Sequence, residues 1–122
     1  KKIGYHLPVI VDQTAIIAED VSIGEGSVIG KGCIINSDCR IGKMTIINTG
    51  AVIEHECCVG DFSHISVSSV LCGSVKVGRR TFIGANASVK QCVNIGDNSI
   101  IGMGSIVIGD VEDNSIRMGV VK

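Results

Sequence analysis

Every sixth residue of this chain is aliphatic from Val11 through Ile17, Ile23 and Ile29 to Ile95, Ile101 and Val107, seventeen positions without a slip. The residue two places before each following position is small or Val: Ala15, Val21, Ser27, Cys33, Cys39, Thr45, and onward to Ser105 and Val111. Eight of the aliphatic positions are followed by Gly, at 24, 30, 42, 60, 78, 84, 96 and 102. Residues two apart share one face of a strand, so each hexad offers one short strand with a paired inward face. A period of six then requires the chain to turn a corner once in every hexad. Three such faces, one per hexad, close a triangular coil, and stacking lets each strand pair with those above and below. Aliphatic side chains fill the prism, the small residues sit where walls converge, and Gly relieves crowding at corners. Composition agrees: 20 Ile and 16 Val against two Leu favour strands over helices.

The repeat divides the chain into a lead-in (1–10), a β-helix (11–112) and a C-terminal tail (113–122). At three hexads per turn the repeat makes about 5.7 coils, a rod about 27 Å tall at ~4.8 Å per strand layer. Flat exposed walls and a thin interior predict association into a trimer. The constant register leaves no loop out of the prism between 11 and 107. The opening Lys1-Lys2-Ile3-Gly4, without an initiator Met, reads as part of a longer protein. A net charge of -1 excludes a dedicated nucleic-acid binder, which needs a basic surface. No apolar run reaches the ~20 residues of a membrane span, and no signal peptide is visible. The six cysteines lack metal-type spacing. Cys33, Cys39 and Cys57 fall in the small inward slot and read as buried thiols, with a reducing cytoplasm as the expected setting.

Chemistry concentrates at three histidines. His6, in the lead-in, reads as an exposed surface residue. His55 and Glu56 are the third and fourth residues of the hexad from Ile53, at a corner where both project outward. A carboxylate beside an imidazole fixes its tautomer and raises its basicity, which suits a general base; a solvated polar corner is the plain alternative. One coil on from His55, three hexads along the chain, lies Gly73, outside the usual Gly slot. A Gly there lets a carbonyl oxygen approach a backbone N–H, as an oxyanion donor requires. Ala85 and Met103, also one coil apart, stack in one column and offer a groove along the prism axis.

The segment from Ile53 to Ser66, Ile53-Glu54-His55-Glu56-Cys57-Cys58-Val59-Gly60-Asp61-Phe62-Ser63-His64-Ile65-Ser66, carries a sharper likeness. With Ile47-Asn48-Thr49-Gly50, Leu71-Cys72-Gly73, Phe82-Ile83-Gly84-Ala85 and Ile100-Ile101-Gly102-Met103-Gly104, it resembles the hexapeptide-repeat acetyltransferases. The likeness is to the bacterial sialic-acid O-acetyltransferase and bacillosamine-type UDP-4-amino-sugar N-acetyltransferase group. That resemblance implies an all-β, left-handed parallel β-helix; the handedness comes from it alone, against the general crossover preference. It also implies a cytoplasmic homotrimer with active sites between subunits. Acetyl-CoA would be the acetyl donor, and a sugar or nucleotide sugar of bacterial surface glycan synthesis the acceptor. His55 would deprotonate the acceptor amine or hydroxyl and Glu56 would polarise it. Asn48 would help hold the acceptor, and His64 and Gly73 would contact the thioester. Ala85 and Met103 would line the pantetheine groove. Attack on the thioester would be direct, with no covalent enzyme intermediate and no metal. Arg79 and Arg80, with Lys76 nearby, read as a solvated face, with contact to the CoA phosphates as the second reading.

Two departures from the family pattern stand out. Its Rossmann-like N-terminal domain is not represented by the few residues before Val11, and Gly4-Tyr5-His6-Leu7-Pro8-Val9-Ile10-Val11-Asp12 resembles the tail of that domain. The usual Gly-Asn-Pro-Ala ending is replaced by Met118-Gly119-Val120-Val121-Lys122. Within the class, O-acetylation of sialic acid is the alternative to N-acetylation. A zinc enzyme related to γ-type carbonic anhydrases needs three converging imidazoles, and His55 and His64 are half a coil apart. A non-catalytic trimeric scaffold is the third reading.

Overall fold

The computed structural model describes residues 6–122; the first five residues of the expected lead-in lie outside the described residues. Nineteen two-residue strands run from β1 (Ile10–Val11) to β19 (Val120–Val121), all pairing in parallel in three sheets of seven, seven and five strands. These are the walls of the expected triangular prism. Wall A contains Val28–Ile29, Ile46–Ile47, His64–Ile65, Phe82–Ile83 and Ile100–Ile101. Wall B contains Ile34–Ile35, Val52–Ile53, Val70–Leu71, Ser88–Val89 and Ile106–Val107. Wall C contains Ser22–Ile23, Arg40–Ile41, Cys58–Val59, Lys76–Val77 and Asn94–Ile95. Through the body of the prism each strand pairs with those three hexads before and after it, as Ile47 does with Ile29 and Ile65. The second residue of each pair points inward, and the inward column from Ile29 to Val107 is buried throughout.

The small inward slot does more than fit a narrow space. Ser27, Ser63 and Ser69 donate through Oγ to the carbonyls of Gly42, Gly78 and Gly84, at 2.6–2.7 Å. Cys33, Cys39 and Cys57 do the same through Sγ, to Asn48, Glu54 and Cys72, at 2.8–3.1 Å. The slot therefore satisfies corner carbonyls that no strand partner reaches. Burial pushes the Cys57 thiol up to about 12, so it stays a neutral donor.

Corners have a second period-six feature. Each fourth hexad position from Gly26 to Gly104 lies in the left-handed region, including Asp38, Met44, Glu56, Ser68, Asn86 and Cys92, with φ between 53° and 75°. Non-Gly residues adopt that region at a cost of about 1–2 kcal/mol each, so repeated burial and pairing must hold the turns. The Gly after each inward aliphatic has a different reason: a Cβ at Gly60 would lie 2.6 Å from the Gly78 carbonyl carbon of the next coil.

Beyond Val107 the coil shortens. Ile101 pairs with Arg117, two positions short of a full coil, and Val107 with Val121, four positions short. The segment 113–122, read from sequence as a tail, thus carries the strands Ile116–Arg117 and Val120–Val121. The missed cause is a register change: two residues are dropped at each of two corners, which breaks the period of six.

The outer faces differ sharply. Outward positions on wall A are Ile10, Val28, Ile46, His64, Phe82, Ile100 and Ile116; on wall B they are Ile16, Ile34, Val52, Val70, Ser88, Ile106 and Val120. Wall C presents Ser22, Arg40, Cys58, Lys76 and Asn94. Two walls are therefore largely apolar and the third is solvated.

Candidate active site

The edge between walls B and C stacks His55, Gly73 and Gln91, each one coil from the next. The His55 Nδ1 lies 3.0 Å from Glu56 Oε1. A carboxylate only accepts, so the Nδ1–H donates and the lone pair is left on Nε2. Glu56 itself takes the left-handed turn conformation, at φ 62°. The imidazole lies over Gly73: a Cβ there would sit 2.7 Å from His55 Nε2 and Cε1. Two backbone bonds tie the layers, Ser74 N–H to the His55 carbonyl at 2.9 Å and Cys92 N–H to the Gly73 carbonyl at 3.0 Å. Among the described residues, the Gly73 N–H has no protein acceptor. His55, Gly73, Ser74, Gln91 and Cys92 line a groove of about 280 Å³. Sequence reasoning missed Gln91, although the arithmetic that found Gly73 reaches it one coil later; Ser74 and Cys92 follow in the adjacent column.

Beside it, a second groove of about 530 Å³ is lined by Asp20, Ser22, Asp38, Cys39, Arg40 and Glu56. Crowding by the Asp20 charge pushes the Asp38 carboxyl above its ordinary value.

His64 and Asn48 meet elsewhere, on wall A. Asn48 Nδ2 is 3.2 Å from His64 Nε2, and Asn48 Oδ1 accepts from the Thr49 N–H at 2.7 Å. The Phe82 ring meets the His64 ring edge-on, with centroids 5.1 Å apart. Burial pushes the His64 pKa below its ordinary value. Ala85 and Met103 stack at the A/B edge, where the Gly104 N–H donates to the Ala85 carbonyl at 2.7 Å; Met103 is exposed. The predicted residues thus form one group at the B/C edge, His55, Glu56 and Gly73, and a second on wall A and its A/B border. Arg79 and Arg80 belong to neither: they lie at the C/A edge, with the Arg80 guanidinium 5.5 Å from the Phe62 ring centre. His6 is 3.9 Å from Glu25 and its side chain is 85% exposed. Among the described residues, no three His, Cys, Asp or Glu side chains form a metal-binding group, and no helix is long and apolar enough to cross a membrane.

A family model described as the hexapeptide repeat of succinyl-transferase matches residues 74–109. The chain is a hexapeptide-repeat left-handed β-helix. This β-helix is similar to PerB from Caulobacter crescentus, solved with CoA and GDP-perosamine, at 39% identity and a TM-score of 0.94. The likeness covers 95% of this chain and 56% of PerB. The acetyltransferase domain of PglB from Neisseria gonorrhoeae, also solved with acetyl coenzyme A, is 28% identical at a TM-score of 0.94, over 95% of this chain and 57% of that one. WeeI from Acinetobacter baumannii is 27% identical at 0.85, over 88% of this chain and 53% of its own. The β-helix described here spans little more than half the length of these relatives. No curated protein matches the sequence.

Proposed function

We propose that this β-helix is the acyl-transfer part of an acetyl-CoA-dependent N-acetyltransferase. Its acceptor is the amine of a nucleotide-linked 4-amino sugar, of the UDP-linked kind, in cytoplasmic synthesis of bacterial surface glycans. The observation that carries the reading is the His55 imidazole held by Glu56, with Nε2 over the position a Gly73 Cβ would take and the Gly73 N–H without a protein acceptor among the described residues. His55 Nε2 takes a proton from the acceptor amine as the nitrogen attacks the thioester carbonyl. The C–N bond forms, the C–S bond breaks, and the CoA sulfur leaves with the proton returned by the imidazolium. Glu56 stabilises that imidazolium, and the Gly73 N–H meets the developing oxyanion. No cysteine is needed as a nucleophile.

The same backbone position elsewhere in the prism supports the oxyanion role. At the C/A edge, the Arg79 N–H, equivalent to that of Gly73, binds Asp97 Oδ1 at 2.8 Å. A corner amide of this type therefore holds an anionic oxygen. Names of relatives support the substrate class: one was solved with CoA and GDP-perosamine and another with acetyl coenzyme A.

The active unit is a homotrimer. Two apolar walls and one polar wall suit a heterologous contact that closes into a ring. Such a ring brings the His55 edge of one subunit to the wall of the next that carries Asn48, on the acceptor side, and His64, Ala85 and Met103, which line the thioester and pantetheine path.

Acetyl-CoA should raise the melting temperature, because a ligand bound only by the folded state stabilises it. Acetyl transfer is then measured against UDP-4-amino sugars, GDP-perosamine and free sialic acid, the last separating amine from hydroxyl acceptors. His55→Ala should lose at least ~100-fold in rate; near-normal turnover overturns the assignment. No acetyl-CoA stabilisation and no transfer would leave the scaffold reading.

A further inference from the structure

The Asn48 side chain has both ends engaged, and the chemistry of its two partners fixes more than its own position. The Thr49 N–H can only donate, so the oxygen 2.7 Å away must be Oδ1 of Asn48. That orientation turns the Nδ2 amide toward His64 Nε2, at 3.2 Å. An amide NH₂ can only donate, so His64 Nε2 must be the unprotonated acceptor and the ring proton resides on Nδ1. Among the described residues, His64 Nδ1 has no protein partner. Phe82, edge-on to the ring, and Ile46, its other strand neighbour, provide apolar surroundings without a competing acceptor.

We propose that Asn48 is a positioning residue that acts through His64. It sets the neutral Nδ1–H tautomer, so that His64 offers the acetyl donor one fixed N–H and never a lone pair or a second charge. The sequence likeness implied that Asn48 would hold the acceptor; in this arrangement its amide is already committed to Thr49 and His64. The catalytic part of the proposal rests on the acetyltransferase reading, whereas the tautomer does not. Protonation of His64 places an Nε2–H against the Asn48 NH₂, donor against donor, which works with burial to keep the ring neutral. Two histidines of one transferase would then have separated duties: His55, paired with a carboxylate, is basic at Nε2, and His64, paired with an amide donor, is a neutral hydrogen-bond donor.

The test is a long-range ¹H–¹⁵N correlation spectrum of the histidine rings in the whole chain, with the His64 signals identified by their loss in His64→Gln. Wild type should show His64 protonated at Nδ1 and bare at Nε2. Asn48→Asp keeps an acceptor for the Thr49 N–H, and so keeps the corner, but presents a carboxylate to His64. It should move the proton to Nε2, raise the His64 titration midpoint and lower kcat/KM by about tenfold or more, with the melting temperature little changed. Asn48→Ala should give mixed tautomers and an intermediate rate. A wild-type ring protonated at Nε2, or a tautomer unaffected by Asn48→Asp, overturns the proposal. A switched tautomer with undiminished acetyl transfer overturns the positioning role, while loss of activity in His55→Ala still upholds the acetyltransferase reading. Should wild type transfer no acetyl group, that reading fails on its own, and the ring spectrum alone decides whether Asn48 governs His64.

Discussion

The B/C and C/A edges of the prism are built from the same backbone turn, yet among the described residues carboxylates meet its third-position amide on only one of them. At the C/A edge, carboxylates of the next coil accept from three of these amides, while those of Glu25 and Asp61 have no protein acceptor among the described residues. Asp61 Oδ1 accepts from the Lys43 N–H at 3.0 Å, Asp97 from Arg79 at 2.8 Å, and Asp113 from Asp97 at 2.7 Å. At the B/C edge, the Gly73 amide has no such carboxylate, and the imidazole of His55 lies where a Gly73 Cβ would be. One edge uses three of its corner amides to fasten coil to coil. Among the described residues, the other puts no carboxylate on its corner amides, and that of Gly73 is left open beside His55. If the proposed function is right, a solenoid need not build a new backbone for a reactive centre; it needs only to withhold a structural side chain from a donor that the coils already present.

Substitutions can break that contrast from either side. The largest effect is expected from Gly73→Ala. Its column neighbours His55 and Gln91 carry side chains at the same turn position, so the backbone accepts a Cβ, but that Cβ would lie 2.7 Å from the His55 ring. Acetyl transfer should fall about 10- to 100-fold as base and amide lose their alignment, with little change in melting temperature. A Gly73→Ala protein of wild-type activity would show that the His55–Gly73 stacking is incidental. At the other edge, Asp97→Ala should cost about 1 kcal/mol by leaving the Arg79 N–H without its acceptor, measured by denaturant unfolding, and should leave acetyl transfer intact. A loss of rate there would erase the division between the edges. The smallest effect concerns pH. Because burial lowers the His64 pKa in the folded state, the unfolded chain binds more protons below the ordinary value of 6.5. The His64 contribution is therefore favourable above that pH and declines as pH falls through 6.5 toward the lowered folded value. The melting temperature of His64→Gln should drop less than that of wild type over this window; equal drops would refute the assignment.

Much of this architecture is legible in the sequence. A period of six in Ile and Val dictates both the inward column and the three-hexad coil, and that coil length alone places Gly73 under His55. The turn chemistry is less visible. Left-handed residues recur once per hexad, but Met44, Glu56, Phe62 and Arg80 occupy that column together with Gly and Asn. Composition cannot signal a conformation imposed by pairing on both sides. The inward slot reads as small, whereas Ser63 and Cys57 show that it is also a donor to a corner carbonyl one coil away. The pairing of Asn48 with His64 escapes the pattern because it joins a corner residue to a wall residue and falls off the column arithmetic. The ending of the repeat is obscured for a related reason: dropping two residues at a corner looks in sequence like the loss of the pattern, though Val121 still enters the core opposite Val107.

The coil spacing behaves as a reading frame. Duplicating or deleting one full coil on either side of residues 55–73 would carry His55 and Gly73 along unaltered, since every downstream residue returns to its own edge. A single inserted residue between them would instead put the rest of the chain out of phase and turn inward aliphatics outward. Length variation among proteins of this build should therefore come in whole turns of the prism, or as excursions confined to one corner.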